Sequence, residues 1–319
     1  MSNNKHRDDN NYDRLSSFLY WEGSLETKDI NRIKDNVFLI KDNTGEGYIF
    51  KRHKNINNVK QQWDFFSQIK MKSIAPFVRY PNGRKIITDG NHNIWTLTPY
   101  IPGIKLNYRS QTDRKEAVLA LKKFHDKASS IYVQNQVQKG LFYLRWYDRL
   151  KTFQKTEYFF VKYGYENLYK DIVKITEQYI QLVSRFPWKR EQRYAEEQGL
   201  WVHGDVASHN FIRYNRIYLI DFDLLACTTQ LYDYIQLGQR FLPYIRWDID
   251  QLESYKMIDD RYIPIWLLSI AIPSDVLREW LHYLYQHRSG YAIKEYLEEM
   301  EKNWIKRQNF MKMTKKMLK

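Results

Sequence analysis

Residues 201–225 read WVHGDVASHNFIRYNRIYLIDFDLL, and this stretch decides the fold. FIRY and IYLIDF are strand-like runs on either side of residues 215–216, so the stretch predicts an antiparallel hairpin with a two-residue turn. Asp205 and Asn210 precede the first strand, and Asp221 ends the second. Folding the two arms together therefore brings these three side chains to one end of the hairpin.

The three side chains are the types that phosphoryl transfer requires. A carboxylate must accept or orient the acceptor hydroxyl, and we assign this role of catalytic base to Asp205. Asn210 and Asp221 offer oxygen ligands for Mg²⁺ against the phosphates of a nucleotide. Either half of the motif alone would usually be a polar turn or a strand end. Together they predict a phosphotransferase site that uses ATP (or GTP) and Mg²⁺.

The first hundred residues predict a small β-rich lobe. VFLIK and GYIFKRHK, within residues 36–54, form two strands joined by a turn at residues 42–45. A helix is predicted over residues 59–70, and strand-like alternation returns before residue 101. The predicted order is therefore β-β-α-β-β.

Helical patterns dominate the rest of the chain. Pro102-Gly103 ends the β-rich part, and helices are predicted over residues 114–129 and through residues 157–186. The fold class is therefore α+β, with a small N-terminal lobe and a larger, mostly helical C-terminal lobe. We predict four segments, which are a polar N-terminal tail (1–12), a nucleotide-binding lobe (13–100), a helical lobe with the catalytic loop (101–301) and a basic C-terminal tail (302–319).

These motifs resemble the aminoglycoside phosphotransferase and choline kinase superfamily, in which HGD is followed by Asn and by a strand ending in IDxE/D. TLTPYIPG (96–103) is similar to the interlobe linker, LKKFH (121–125) to a helix ending in Phe-His, and YDY (232–234) to an acidic position after the metal-binding strand. Within the superfamily, the LTPYIPG, FHDKAS, HGD and IDFD stretches resemble the kinase-like spore coat proteins of the S type. The resemblance implies a two-lobed protein-kinase-like fold. It also implies cytoplasmic synthesis, assembly into the spore coat and other coat proteins as partners.

The resemblance further implies a strand lysine that binds the nucleotide phosphates, and Lys51 lies at that position. Strand alternation places it on one face with Ile49. Kinases pair this lysine with a helix glutamate, but the predicted helix offers Gln61, Gln62 and, less well placed, Asp64. A glutamine can hydrogen-bond an ammonium group but cannot neutralise it. This departure weakens the expectation of full activity.

Two further departures concern the phosphate loop and the acceptor. No G-x-G-x-x-G precedes the strands, and Gly45-Glu46-Gly47 lies where a hairpin turn is expected. Position 207 is Ala, where protein kinases carry a lysine two residues after the catalytic aspartate, so protein substrates are disfavoured. Two functions stay open. One is a phosphotransferase acting on an unidentified acceptor, including molecules of aminoglycoside or choline type, and the other is a weak or inactive structural component of the spore coat.

Other polar residues near the motif have supporting roles. We expect His203 and His125 to be structural and to hydrogen-bond the backbone of the loop. His209 could donate a hydrogen bond near the γ-phosphate or cap the loop. Asp223 could assist the metal, and Asp233 is expected to anchor the catalytic loop.

The charge of the chain is uneven. Its 319 residues carry 51 Lys and Arg against 37 Asp and Glu, which leaves a net charge of +14. Seven cations and no acid lie in residues 302–319, whereas residues 240–301 hold seven cations and eleven acids. Such an uneven distribution disfavours a continuous basic surface for binding nucleic acid. The acidic segment could receive a polyamine or an aminoglycoside, or it could be a solvated face, and the sequence does not decide between them.

Other classes of protein are excluded by what the sequence lacks. The single cysteine, Cys227, excludes an internal disulfide framework and a multi-cysteine zinc site. Residues 1–12 are too polar for a signal peptide, and the longest apolar stretch, residues 262–273, is too short to span a bilayer.

Two surface features have alternative interpretations. The many aromatic residues invite a cage for a quaternary ammonium group, with Trp146, Tyr147 and Trp247 as candidates, but aromatics this abundant mostly fill the core and the surface. The basic tail predicts a helix with an apolar stripe, because heptad spacing relates Phe310 to Met317 and Met311 to Leu318. The stripe would dock on the helical lobe of the chain or attach to an acidic partner.

Overall fold

The computed structural model describes residues 3–286 and 290–317 and begins with a small β-rich lobe. An antiparallel five-stranded sheet has the order β1-β2-β3-β5-β4. The elements of this lobe are α1 (Asn3–Gly23), β1 (Thr27–Lys34), β2 (Val37–Asp42), β3 (Gly47–His53), α2 (Ile56–Gln68), β4 (Ile87–Thr88) and β5 (Ile94–Pro99). Leu19 of α1 packs on the sheet beside Phe50 and Trp95, whose rings stack 4.4 Å apart. Helix α1 therefore completes the core of this lobe.

The sequence predicted neither α1 nor β1. Residues 1–12 were expected to form a polar tail, but residues 3–12 belong to α1. β1 reads TKDINRIK, and its two isoleucines are three residues apart, so it shows no strand alternation. Its pairing with β2, in which Ile30 lies opposite Ile40, makes it a strand. Edge strands tolerate such polar sequences because much of their surface remains in water.

The predicted hairpin is confirmed as β2 and β3. Asp42 caps the turn through its side chain, which accepts a hydrogen bond from the backbone N–H of Thr44 at 2.9 Å. Gly45 follows with a φ of 88°, a conformation that glycine adopts without steric cost. Gly45 and Glu46 therefore belong to the connection between β2 and β3, and Gly47 is the first residue of β3.

The second lobe is mostly helical, as predicted. Its helices are α3 (Gln111–Lys127), α4 (Leu144–Gln154), α5 (Glu157–Tyr163), α6 (Glu166–Ser184), α7 (Trp188–Glu197), α8 (Leu231–Phe241), α9 (Ile249–Glu253), α10 (Ile263–Ala271), α11 (Ser274–Gln286) and α12 (Gly290–Met317). Its short strands are β6 (Ile104–Lys105), β7 (Trp201–Val202), β8 (Phe211–Arg213), β9 (Ile217–Leu219) and β10 (Ala226–Cys227). One apolar core with Trp201, Trp266 and Trp280 fully buried holds the helices together. The chain therefore has a two-lobed, protein-kinase-like fold.

The hairpin that carries the motif is β8 and β9. Phe211 lies opposite Leu219, and Arg213 lies opposite Ile217, so three residues connect the arms rather than the predicted two. β6 pairs with the other edge of β8. Gly103 passes so close to β8 that a Cβ atom there would lie 2.3 Å from the carbonyl oxygen of Arg213. The interlobe linker therefore needs glycine at this position.

The basic C-terminal segment is part of the helical lobe. Residues 302–317 continue α12, and Trp304, Phe310 and Met311 are buried in the core of that lobe. This confirms docking on the lobe itself, because the described part of the apolar stripe is already covered. Leu318 and the side chain of Met317 lie outside the described residues. Across residues 3–286 and 290–317, no helix combines the length and the apolar character needed to cross a bilayer.

Candidate active site

The catalytic loop is held in place by Asp233 of α8. This fully buried carboxylate accepts hydrogen bonds from the backbone N–H groups of His203, at 2.8 Å, and Gly204, at 2.9 Å. His125 of α3 contacts it through Nε2 at 2.9 Å. His203 Nε2 in turn donates to the carbonyl oxygen of Ile220 at 3.0 Å. Asp233 has the anchoring contacts expected of it, and the His203 ring bonds to backbone, whereas the His125 ring contacts the Asp233 carboxylate rather than the backbone of the loop.

Two residues of the loop region have left-handed backbone conformations. Gly204 has a φ of 82°, and a Cβ atom there would lie 2.3 Å from the carbonyl oxygen of Leu224. Asp221 has a φ of 64°, which is uncommon for a residue other than glycine. Such strained positions concentrate at functional sites, where the surroundings enforce them. Here the catalytic loop at Gly204 and the segment that follows β9 approach each other closely.

Asp205 forms an ion pair that the sequence analysis missed. Its Oδ1 lies 2.7 Å from Nη2 of Arg240, and roughly a third of the Asp205 side chain remains exposed. Burial lowers the pKa of Arg240 against the opposing effect of the Asp205 charge. Arg240 lies seven residues after Asp233, so both occur on one face of α8. That spacing was the signal in the sequence that could have identified Arg240.

Lys51 of the β-rich lobe contacts two aspartates that follow β9 in the helical lobe. Its Nζ lies 2.7 Å from Oδ1 of Asp221 and 2.7 Å from Oδ2 of Asp223. Gln61 of α2 was considered as a partner of Lys51 and is engaged elsewhere. It donates to the carbonyl oxygen of Leu225 at 2.9 Å and accepts from the N–H of Val137 at 2.7 Å. The counter-charge of Lys51 therefore comes from two aspartates of the helical lobe.

The ion pairs outweigh the cost of burying these charges. Burial would lower the pKa of Lys51, but the charges of Asp221 and Asp223 raise it above 10.5. Burial would raise the pKa of Asp221, but the charge and hydrogen bond of Lys51 hold it below 3.8. At neutral pH, Asp221 is therefore an anion and Lys51 a cation.

Replacing Lys51 with Met is expected to change how stability depends on pH. In the wild type, Asp221 contributes stability above its ordinary pKa of 3.8, which is lost as the pH falls through the lower folded value. Without the Lys51 charge, burial dominates and the pKa of Asp221 rises. The variant should therefore lose more stability relative to the wild type as the pH rises from about 3 to about 7. Urea unfolding across this range measures the difference, and a constant difference would contradict the assignment.

Asn210 and Asp221 retain oxygen atoms suited to a hard cation. The Asn210 amide donates through Nδ2 to the carbonyl oxygen of Asp205 at 3.0 Å, which leaves its Oδ1 uncommitted. Oδ2 of Asp221 has no hydrogen-bond donor among the described residues. Amide and carboxylate oxygens are the ligands that Mg²⁺ accepts in nucleotide sites. The two residues therefore fit a magnesium ion.

A cavity of about 430 Å³ separates the lobes above these residues. Lys51 and Asp221 line it together with Ile49, Ile101 and Lys34. Lys34 ends β1 and Val37 begins β2, so the tight turn between these strands lies at the edge of the cavity. His209 also lines the cavity, and burial lowers its pKa.

The aromatic residues considered as a cage do not form one. Trp146 is buried in the core of the helical lobe. Tyr147 is exposed and carries Lys151 over its ring at 4.4 Å, and Trp247 carries Arg307 at 4.5 Å. A ring face that a side-chain cation covers cannot receive a ligand cation. These three residues therefore follow the alternative interpretation, in which aromatic side chains fill the core and the surface.

No protein-family model and no curated protein matches this sequence, but solved structures match its fold. An aminoglycoside phosphotransferase from Alicyclobacillus acidocaldarius subsp. acidocaldarius DSM 446 matches with a TM-score of 0.66 and 14% identity over 92% of each chain. Spectinomycin phosphotransferase APH(9)-Ia, in complex with ADP and spectinomycin, matches with a TM-score of 0.62 and 12% identity over 90% of this chain and 94% of that one. Choline kinase LicA from Streptococcus pneumoniae matches with a TM-score of 0.53 and 15% identity over 92% of this chain and 98% of that one.

The chain therefore has the fold of aminoglycoside phosphotransferases and choline kinases, as its motifs predicted. At these identities the likeness concerns the architecture. What the site does must be argued from its own residues.

Proposed function

We propose that this protein is an ATP (or GTP) and Mg²⁺-dependent phosphotransferase acting on a small-molecule acceptor. The nucleotide would bind between the lobes at residues 13–100 and 101–301. Lys51 would hold the phosphates, and Asn210 and Asp221 would ligate Mg²⁺. The observation that carries the proposal is the contact of Lys51 with Asp221, which joins a strand lysine to a metal-type carboxylate across a cavity of nucleotide size.

Asp205 would act on the acceptor. Arg240 occupies its Oδ1, and its Oδ2 has no donor among the described residues. That oxygen is available to accept a hydrogen bond from an acceptor hydroxyl and to take its proton. When bound, Mg²⁺ would neutralise charge on the nucleotide phosphates.

The linker offers a site for the base of the nucleotide. Tyr100 donates its N–H to the carbonyl oxygen of Gly47 at 2.9 Å, and Pro99 has no N–H. The N–H of Ile101 has no acceptor among residues 3–286 and 290–317, and Ile101 lines the cavity. Ile101 is partly buried at the cavity, so its N–H is available to donate a hydrogen bond to the edge of a purine base.

A second candidate is a structural component of the spore coat without catalytic activity. It is supported by the sequence resemblance and by two departures from kinases. Gln61 of α2 is engaged with Leu225 and Val137 instead of supplying a partner for Lys51. The turn between β1 and β2 also lacks the glycines of a phosphate-binding loop. Coat proteins would then be its partners.

Thermal unfolding with ATP or GTP, each with and without Mg²⁺, separates the two candidates. A ligand that binds only the folded state at about 100 times its Kd stabilises it by about 2.7 kcal/mol. We expect a saturable rise in Tm with nucleotide that is larger when Mg²⁺ is present. An unchanged Tm for both nucleotides under all conditions would reject the phosphotransferase and favour the structural role.

A further inference from the structure

Two arginines of α4 face the catalytic side of the helical lobe without an acidic partner. Arg145 and Arg149 are four residues apart, so they share one face of the helix. Arg145 donates to the hydroxyl of Tyr232 and lies 4.9 Å from the centre of its ring. Arg149 donates through Nη1 to the carbonyl oxygen of Ser274 at 3.1 Å. No carboxylate of the described residues lies within 4 Å of either guanidinium group.

The position of Arg149 is energetically unfavourable for the folded chain. Arg149 is partly buried, and its pKa is lowered first by burial and then by the positive charge of Arg278 on α11. The charge of Arg145 lowers this pKa further, whereas Tyr232 and Asp275 oppose the shift without reversing it. A partly buried cation that faces other cations destabilises the folded chain unless an anion neutralises it. We call Arg145, Arg149 and Arg278 the arginine cluster.

Helix α8 connects the arginine cluster to the catalytic loop. Tyr232, Gln236 and Arg240 recur every four residues and share one face of α8. The hydroxyl of Tyr232 accepts the hydrogen bond of Arg145, and Gln236 Nε2 donates to the carbonyl oxygen of Gly204 at 2.9 Å. Arg240 contacts Asp205. One face of α8 therefore contacts the arginine cluster through Tyr232 and the proposed catalytic base through Arg240.

Among the acids around the cluster, Asp148 of α4 is exposed and forms no ion pair with the described residues, whereas three others already have partners. Glu279 lies 3.4 Å from Arg278, and Asp275 pairs with the buried Arg307. Asp205 pairs with Arg240. Arg145 and Arg149 therefore have no acidic partner within ion-pair distance among the described residues.

We propose that the acceptor carries an oxyanion, a phosphate or carboxylate group, that binds the arginine cluster while its hydroxyl lies at Asp205. The proposal rests on the proposed phosphotransferase function and names the chemical class of its substrate. In the reaction, the acceptor oxygen forms a bond to the γ-phosphorus as the bond from that phosphorus to the β,γ-bridging oxygen breaks. The hydroxyl proton passes to Asp205, and the nucleoside diphosphate leaves. The cluster would disfavour cationic acceptors, because like charges repel one another.

Binding of sulfate tests the cluster without requiring turnover. The full chain is titrated with sulfate at constant ionic strength, with choline and kanamycin as cationic probes, and Mg²⁺-AMP-PNP binding is measured in the same samples. The test variant carries Arg145→Gln and Arg149→Gln, which are compatible with the helix because glutamine is a good helix former. The control is Arg190→Gln on α7, where the arginine side chain is 77% exposed.

We expect the wild type and the control to bind sulfate, and the double variant to bind it at least about tenfold more weakly, because charge-assisted hydrogen bonds are lost. Equal sulfate affinity in the double variant and the wild type would overturn the proposal, and so would absence of sulfate binding to the wild type. Tighter binding of choline or kanamycin than of sulfate would also overturn it. Absence of Mg²⁺-AMP-PNP binding to the wild type would instead reject the proposed function. The failure of the acceptor proposal and the failure of the proposed function are therefore distinguishable.

Discussion

Asp205→Asn should slow phosphoryl transfer by about 10²–10⁴-fold while nucleotide binding remains unchanged. The amide keeps the shape of the carboxylate but cannot take the proton of an acceptor hydroxyl. It also weakens the contact with Arg240, which lies 2.7 Å from Oδ1 of Asp205. Because Asp205 lies outside the set of side chains around Lys51, the affinity for the nucleotide should not change.

The rate of transfer from radiolabelled ATP, measured with an acceptor that the wild type phosphorylates, tests this prediction. Asp259→Asn is the matched control, because Asp259 is an exposed aspartate that only approaches Arg261 at 3.7 Å. Undiminished transfer by Asp205→Asn would remove Asp205 from the role of base. Loss of nucleotide binding together with transfer would instead show that Asp205 supports the nucleotide site.

Asp221→Asn should abolish the additional stabilisation that Mg²⁺ gives to the nucleotide complex. The substitution removes the negative charge of a proposed metal ligand and half of the charge that faces Lys51. Asparagine is preferable to alanine here because Asp221 has a φ of 64°, and asparagine tolerates this left-handed conformation. At a ligand concentration of about 100 times Kd, the loss corresponds to at most about 2.7 kcal/mol of stabilisation.

Thermal unfolding with nucleotide, with and without Mg²⁺, measures this loss. Asp259→Asn is again the control, because the Asp259 side chain is 76% exposed and lies outside the residues that line the cavity between the lobes. Far-UV circular dichroism checks that Asp221→Asn keeps the fold. If Mg²⁺ stabilises the Asp221→Asn complex as much as that of the wild type, the metal is held elsewhere.

The elements that could be predicted from the sequence are those that local patterns specify. The hairpin of β2 and β3 was predicted because its turn residues and alternating strands lie within residues 36–54. Helix α3 was predicted from its amphipathic spacing, and the hairpin of β8 and β9 from its two strand-like runs. β1 was missed because pairing with β2 outweighs its polar sequence.

The residues of the candidate site also divide into those that local sequence patterns identify and those that packing brings together. Asp205, Asn210 and Asp221 could be found from the sequence because they lie within seventeen residues and one hairpin joins them. The partner of Lys51 could not, and the sequence analysis considered Gln61 because it lies on the neighbouring helix. In the structure, α2 directs Gln61 toward Leu225 and Val137. Side-chain hydrogen bonds of this kind depend on how the lobes pack.

The sequence by itself determined which chemical groups are present and which of them one hairpin gathers, because turns and strand alternation are local properties of the chain. Only the tertiary structure decided which charged side chains form ion pairs. Lys51 and Asp221 are 170 residues apart, and Arg240 and Asp205 belong to different elements of the helical lobe. Such pairs form when lobes and helices pack, and that packing follows from burying a shared apolar core rather than from any local pattern.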